Sequence, residues 1–116
     1  MLNEKVELYL LQILETIDKI DLATTGLSME SYQGYEIKWL VERGLEIIGE
    51  AFKRIQNLQP ELDISNKQKI ISTRNKVAHE YDEVDHTILY LIVTKYLPLL
   101  KLEIVGLLNN IKKDNN

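Results

Sequence analysis

The spacing of apolar residues in the first half of the chain predicts two amphipathic helices. Within residues 2–21, and again within residues 30–58, apolar side chains recur at intervals of three and four, as on a helix that packs one face against a core. The first stripe consists of Leu2, Val6, Tyr9, Ile13, Ile17 and Ile20, and the second of Leu40, Val41, Leu45, Ile48, Phe52 and Ile55. Pro60 is expected to end the second helix, because the residue before a proline is disfavoured in helical dihedral angles.

Two further helices are predicted in the second half. The third begins at Ser65, where Gln68 follows at the spacing of a capping box, and it runs to about His79. The fourth follows Asp85, an expected N-cap, and extends to about residue 108 with a kink near Pro98. Its run "ILYLIV" is apolar on more than one face, which predicts either the middle of a bundle or a subunit interface.

No alternating strand pattern competes with these helices, so the sequence predicts an all-α antiparallel bundle of four main helices. The 116 residues are expected to form a single domain, 1–116, large enough to bury a core without disulfides. Three glycines fall within the second segment, namely Gly34, Gly44 and Gly49. Each costs about 1 kcal/mol relative to alanine inside a helix, so a closely packed neighbouring helix is expected beside them.

Composition narrows the chemistry further. The chain contains no cysteine, which excludes a thiolate nucleophile and a cysteine-based zinc site. Its formal net charge is −4, so RNA binding would have to rest on a local basic patch. The most apolar stretch, residues 87–108, is interrupted by Lys95, Lys101 and Glu103. It therefore predicts a buried helix and not a membrane span. A cytoplasmic location is expected.

The stretch "STRNKVAHEYDEVDH", residues 72–86, is the strongest candidate for a functional site. It contains Arg74, His79 and Tyr81 within eight residues. On a helix Asn75 and His79 share a face, whereas Arg74 and His79 differ by roughly 140° of azimuth. A two-fold axis near this edge would bring two arginines and two histidines into one cleft.

Such a set suits metal-independent cleavage of RNA. A neutral imidazole can take the proton of a ribose 2′-hydroxyl, an imidazolium can protonate the leaving 5′-oxygen, and a guanidinium can bind the scissile phosphate. The products would be a 2′,3′-cyclic phosphate and a free 5′-hydroxyl, and no metal or other cofactor is needed. Lys67, Lys69 and Lys76 make the third helix basic and are candidate contacts for RNA phosphates.

The residues alone leave other interpretations open. A histidine near the C-terminus of a helix also complements the helix dipole. The segment "HEYDEVDH" has the atom types of a Zn or Mn site, although a solvated acidic turn explains it as well. Glu42, Glu46 and Glu50 are interpreted as a solvated face. Trp39 and the six tyrosines lack the interleaved basic residues that would suggest base stacking, and most of them are expected in the core or in interfaces.

"RNKVAHEY" resembles the R-x-x-x-x-H-x-Y signature of the HEPN superfamily, in particular its HepT-like toxin branch. The resemblance extends to "ERGLEIIGEAFKRI" in the second helix and to "RNKVAHEYDEVDHTILYLIVTKYLPLL", and covers roughly residues 35–105. It implies a helical bundle that dimerises through the motif helices, with a ribonuclease cleft at the two-fold axis. Arg74 and His79 match the catalytic pair, and Asn75 matches the polar residue that follows the arginine.

The same resemblance implies a partner and a mode of control. Tyr81 matches the tyrosine to which a minimal nucleotidyltransferase antitoxin transfers AMP. The chain is thus expected to be a dimeric toxin endoribonuclease acting on tRNA or mRNA. The alternative is a non-catalytic HEPN subunit that presents nucleotide or substrate to the transferase. A helical interaction protein without either role is a third hypothesis.

Overall fold

The computed structural model describes the backbone of residues 2–79 and 85–114, and the side chains of residues 2–73 and 85–110. Helices account for most of this part, and it contains no strand. In chain order the elements are α1 (Glu4–Thr24), a 3₁₀ helix (Met29–Gln33), α2 (Tyr35–Leu58), α3 (Gln68–His79), α4 (His86–Leu91), a π-helical segment (Ile92–Tyr96) and α5 (Leu97–Asp114). The predicted all-α bundle is confirmed, and α4, the π segment and α5 together form its fourth main helix.

The core lies where the two predicted apolar stripes meet. Val6, Leu10 and Ile13 of α1 are fully buried, as are Leu45 and Ile48 of α2. The end of α3 that precedes the motif and the fourth helix close this core, and they contribute Ile70, Leu89, Ile92, Val93, Leu97, Leu100 and Ile104. Each large aliphatic side chain buried in this way contributes about 1.5–3 kcal/mol to stability. The motif helix is therefore anchored through its first turn.

Glycines mark two places where the second predicted segment departs from a uniform helix. A Cβ on Gly44 would lie 2.5 Å from Ile20 Cδ1, so the expected close packing of a neighbouring helix is confirmed there. Gly34 is extended, with φ −64° and ψ 136°, and is the N-cap of α2. The prediction of one helix from residue 30 was wrong, because the chain forms a 3₁₀ helix and then breaks at this glycine.

The interruption predicted near Pro98 takes the form of a π turn just before it. The amide of Leu97 donates to the carbonyl of Ile92, five residues back, instead of the usual four. Pro98 has no amide hydrogen to offer the carbonyl of Thr94, so the regular bonding pattern is broken at this point in any case. None of the described helices is long and apolar enough to cross a membrane.

Candidate active site on the third helix

The backbone of α3 is helical from Gln68 to His79, so the three motif positions 74, 75 and 79 lie on one helix. Positions 75 and 79 are one turn apart on the same face, and position 74 lies roughly 140° from position 79. This arrangement agrees with the spacing argument. The side chains of Arg74, Asn75 and His79, and the whole of Tyr81, lie outside the described residues, so their roles stay predictions.

A carboxylate of α5 fixes the loop that leads into the motif helix. Glu103 accepts four hydrogen bonds: from the amide (2.8 Å) and hydroxyl (2.8 Å) of Ser65, and from the amide (3.0 Å) and side-chain nitrogen (2.9 Å) of Asn66. The prediction of a capping box with Ser65 as the N-cap was wrong. The amide of Ile71 donates to the carbonyl of Lys67, which places the cap two residues after Ser65, and the Ser65 hydroxyl is used by Glu103.

The same hydrogen bonds set the ionisation of Glu103. Burial alone would raise the pKa of its carboxyl, but the donors on Ser65 and Asn66 together outweigh burial and hold the pKa below its usual 4.5. A carboxylate with a lowered folded-state pKa stabilises the fold above the unfolded-state pKa, and this stabilisation is lost as the pH falls through the folded-state value.

We therefore expect Glu103→Gln to lower the free energy of unfolding at pH 7 by about 1–2 kcal/mol, because four donors lose a charged acceptor. The deficit should begin to shrink as the pH falls below 4.5, where the carboxyl of the unfolded chain takes up a proton, and should vanish below the lowered folded-state pKa. Urea unfolding of the variant and the wild type at pH 7 and at pH 3 measures the difference in the free energy of unfolding at each pH. The exposed Glu61 supplies the matched control, Glu61→Gln, which should cost little at either pH. An equal deficit for Glu103→Gln at both pH values would contradict this account.

A groove of about 280 Å³ runs beside the motif helix. Its walls are formed by Lys69, Ser72 and Thr73 of α3 and by Ile88, Leu91, Ile92 and Tyr96 of the fourth helix. Ile88 and Leu91 are 39% and 43% exposed, whereas Leu89, Ile92 and Val93 of the same run are buried. The prediction that "ILYLIV" is apolar on more than one face is confirmed. The outer face of this run, with Ile88 and Leu91, is available to a partner.

The predicted phosphate contacts are only partly described. Lys69 is exposed and lines the groove, and Lys67 is half-buried in the turn before α3. The side chain of Lys76 lies outside the described residues. The groove therefore combines apolar walls with one exposed cation at its edge.

After the motif, the described chain resumes at Asp85. This residue lies at the N-terminus of α4, next to the start of α2. Asp85 caps α4 as predicted, since its carboxylate accepts from the amide (2.9 Å) and hydroxyl (2.8 Å) of Thr87. These bonds, and more weakly the charges of His86 and Lys38, lower the pKa of Asp85. Nε2 of His86 lies 3.3 Å from Nε2 of Gln33, ahead of α2.

The second histidine of the stretch thus has a structural role that its sequence context did not reveal. His86 joins α4 to the 3₁₀ helix through Gln33, and Tyr90 packs edge-on against the buried Tyr32 with ring centroids 5.3 Å apart. Among the described residues no group of three or more histidine, aspartate and glutamate side chains could hold a metal ion. Glu80, Asp82 and Glu83 lie outside the described residues.

Two glutamates of the α2 row, Glu46 and Glu50, border a second groove instead of a uniformly solvated face. Glu46 pairs with Arg43 at 3.1 Å, and both line a cavity of about 450 Å³ between α1 and α2, together with Glu50 and Arg54. Arg54 lies over the ring of Tyr9 at 5.9 Å. The mixed charges of this groove do not indicate a particular ligand.

The aromatic residues divide into two groups. Tyr32 is buried, and Tyr9, Tyr90 and Tyr96 are half-buried against the core, as expected. Tyr35 and Trp39 differ, because they are 82% and 60% exposed on the first turns of α2. The sequence gives no signal for this exposure, since aromatic residues at helical spacing are usually packed.

Comparison with known proteins agrees with the family that the sequence resembles. The family model "Ribonuclease HepT-like" matches residues 13–105, and the chain belongs to this family of the HEPN superfamily. The chain is 30% identical to "Putative RNase MJ1216" of Methanocaldococcus jannaschii, with 100% of this chain and 98% of the relative covered. It is 35% identical to "Probable ribonuclease HepT" of Thermococcus cleftensis over 80% of this chain and 86% of the relative. No solved structure gives a significant match.

Proposed function

We propose that the chain is the toxin of a toxin–antitoxin pair, a dimeric endoribonuclease that cleaves tRNA or mRNA without a metal ion. The observation that carries the proposal is the placement of Arg74, Asn75 and His79 on one helix, within a family match that spans residues 13–105. The relatives named as RNases support RNA as the substrate.

The proposed reaction uses the groups of the motif alone. Neutral His79 accepts the proton of the ribose 2′-hydroxyl, and the 2′-oxygen attacks the adjacent phosphorus. The bond from phosphorus to the 5′-oxygen breaks, and an imidazolium protonates that leaving oxygen. Arg74 binds the phosphate and offsets the charge that builds on it in the transition state. A cyclic phosphate and a free 5′-hydroxyl result.

The apolar groove beside α3 supports a dimer in which the motif helices meet. Ile88 and Leu91 expose apolar surface next to the helix that bears the motif, and a second copy of this face would cover both. An isologous contact repeats each residue across the axis, so the cleft would hold both protomers' Arg74 and His79. One histidine could then act as base and its counterpart as acid.

Control of the toxin is proposed to occur at Tyr81, the last residue of the motif, two positions after His79. A nucleotidyltransferase antitoxin transfers AMP from ATP to its hydroxyl, which loses its proton as pyrophosphate leaves. The attached AMP adds bulk and negative charge beside the cleft. Both effects oppose the approach of an RNA phosphate.

Expression of the chain in a bacterial host, with and without a candidate nucleotidyltransferase antitoxin, tests this function. We expect growth arrest and cleaved RNA from the chain alone, because the unmodified site is active, and relief of both on co-expression. Normal growth and intact RNA, together with a stable complex between the two proteins, would favour the non-catalytic subunit instead. The net charge of −4 is the observation that favours that second candidate.

A further inference from the structure

An apolar stripe runs along the outer face of the fourth helix and continues beyond the groove that borders α3. Leu91, Leu99 and Leu102 are 43%, 44% and 72% exposed, and Gly106 is exposed as well. Each of these four residues, called the outer stripe below, follows a fully buried residue by two positions; the buried residues are Leu89, Leu97, Leu100 and Ile104. Two residues turn a helix by roughly 200°, so the outer stripe lies on the side that faces away from the core.

The charged side chains of the same helix contact their own chain. Lys101 forms an ion pair of 2.9 Å with Asp18, and Glu103 is occupied by the loop before α3. Lys95 is the third charged residue between positions 88 and 106, and its Nζ lies over the ring of Tyr96, 5.6 Å from the centroid. The outer stripe is therefore poor in charge, as the core of a protein interface is.

Gly106 is a second, independent sign that another helix packs on the outer stripe. Glycine inside a helix is destabilising relative to alanine, so a packing contact is expected where it occurs. Gly44 has such a contact within the chain, because a Cβ there would collide with Ile20. A Cβ on Gly106 would meet no atom within 4 Å, so the described part of this chain does not require glycine at that position. The close approach of a helix from another molecule would account for it.

The outer stripe begins beside α3 and leads away from the motif. Leu91 lines the groove together with Thr73, whereas Glu103 contacts Ser65, ahead of α3. The fourth helix therefore runs antiparallel to α3, and motif positions 74–79 lie toward the start of the fourth helix. A second copy that covers the groove also covers Leu91, and it would continue from there along the rest of the outer stripe.

We propose that a second copy of the chain covers the outer stripe, with the two fourth helices side by side and parallel. The inference rests on the proposed dimeric ribonuclease and adds the surface and the orientation through which its two copies meet. A two-fold axis along the outer stripe places each leucine opposite its own counterpart and keeps both motif ends at the same end of the dimer.

The opposite orientation does not fit a shared cleft. From Leu91 to Gly106 the helix extends about 22 Å, so antiparallel pairing along the whole outer stripe would separate the two motif ends by at least about this distance. One phosphate could not then contact groups of both protomers. The parallel pair is the arrangement that covers the outer stripe and also brings both copies of Arg74 and His79 together.

Cysteine cross-linking tests this arrangement, since the chain has no cysteine of its own. Leu102→Cys should form a disulfide-linked dimer on mild oxidation, because the axis brings two equivalent positions together. A mixture of Leu91→Cys and Leu102→Cys chains should form no mixed species, since the two thiols would lie about 16 Å apart along parallel helices. Leu8→Cys is the matched control, because Leu8 is 66% exposed on α1, outside the outer stripe, and should not cross-link.

Leu102→Glu measures how much the contact contributes to the dimer. Leu102 is 72% exposed, so the variant should keep the helical fold by circular dichroism. Its dimer dissociation constant, measured by sedimentation, should rise by about 10- to 100-fold, because both copies lose an apolar contact and gain a charge. RNA cleavage should fall at concentrations where the dimer dissociates and recover as the concentration is raised. Leu102→Met and Leu8→Glu should behave like the wild type.

Four outcomes separate this dimer from the proposed enzyme. Absence of a disulfide in Leu102→Cys, in a chain that forms dimers and cleaves RNA, would overturn the parallel pairing and leave the ribonuclease intact. Cross-linking only in the mixture of the two variants would show antiparallel helices and also overturn it. A chain that stays monomeric at every concentration would exclude a second copy as the partner. Cross-linking of Leu102→Cys in a chain that cleaves no RNA would support the parallel dimer and count against the proposed enzyme.

Discussion

His79→Ala is expected to slow RNA cleavage by about 100- to 10,000-fold, the usual contribution of a positioned general acid or base. Alanine removes the group proposed to take the proton from the 2′-hydroxyl, and in a symmetric dimer it removes the group that protonates the leaving oxygen as well. Cleavage by purified protein, followed on a labelled RNA, measures the loss. Circular dichroism and sedimentation should show an unchanged helical fold and dimer.

Matched histidine and arginine variants make this result specific. His86→Ala removes the other histidine of the chain, whose ring contacts Gln33, and should leave cleavage close to wild type. Arg74→Ala should lower the rate by about 100- to 1,000-fold, because a charged donor to the phosphate is lost. Arg54 makes a cation–π contact with Tyr9, and Arg54→Ala should not lower the cleavage rate. Full activity of His79→Ala or Arg74→Ala would refute the catalytic assignment.

Tyr81→Phe is expected to abolish AMP transfer to the chain. The phenol oxygen is the proposed nucleophile toward the α-phosphate of ATP, and phenylalanine removes only that oxygen. Intact mass after incubation with ATP and the nucleotidyltransferase reports each added AMP. The variant should stay active as a nuclease and should escape control by modification.

The control for this experiment is another exposed tyrosine. Tyr35 is 82% exposed, so Tyr35→Phe tests whether the transferase accepts any accessible phenol. It should be modified like the wild type. AMP on Tyr81→Phe at an unchanged level would place the acceptor elsewhere. Inhibition without any AMP would show that binding of the antitoxin alone is enough, so complex formation has to be measured separately.

The fold was predictable where burial follows helical periodicity. The stripes of α1 and α2 placed Val6, Ile13, Leu45 and Ile48 in the core correctly, because each helix buries one face. Local detail was less predictable. Ser65 satisfies every local rule of a capping box, yet its hydroxyl donates to Glu103, which lies 38 residues away in the sequence. A contact at that distance depends on how helices pack, and no local pattern encodes it.

The candidate site, like the fold, was predictable from the sequence only in part. The motif spacing predicted that Arg74, Asn75 and His79 occupy one helix, and the helical backbone through His79 confirms that part. The sequence did not show which apolar and aromatic residues would be left in solvent. Tyr35 and Trp39 fall within a normal helical pattern, and their exposure follows from the absence of a neighbouring helix on that face of α2 within the described chain.

Cleavage of tRNA and mRNA by the purified, unmodified protein in EDTA, with analysis of the new RNA ends, tests the central claim most directly. Intact mass should first establish that no AMP is attached. We predict cleavage that leaves 2′,3′-cyclic phosphate and 5′-hydroxyl ends and that is lost in His79→Ala. Absence of cleavage of any RNA by the folded, unmodified dimer, or cleavage that stops when EDTA is added, would contradict the account.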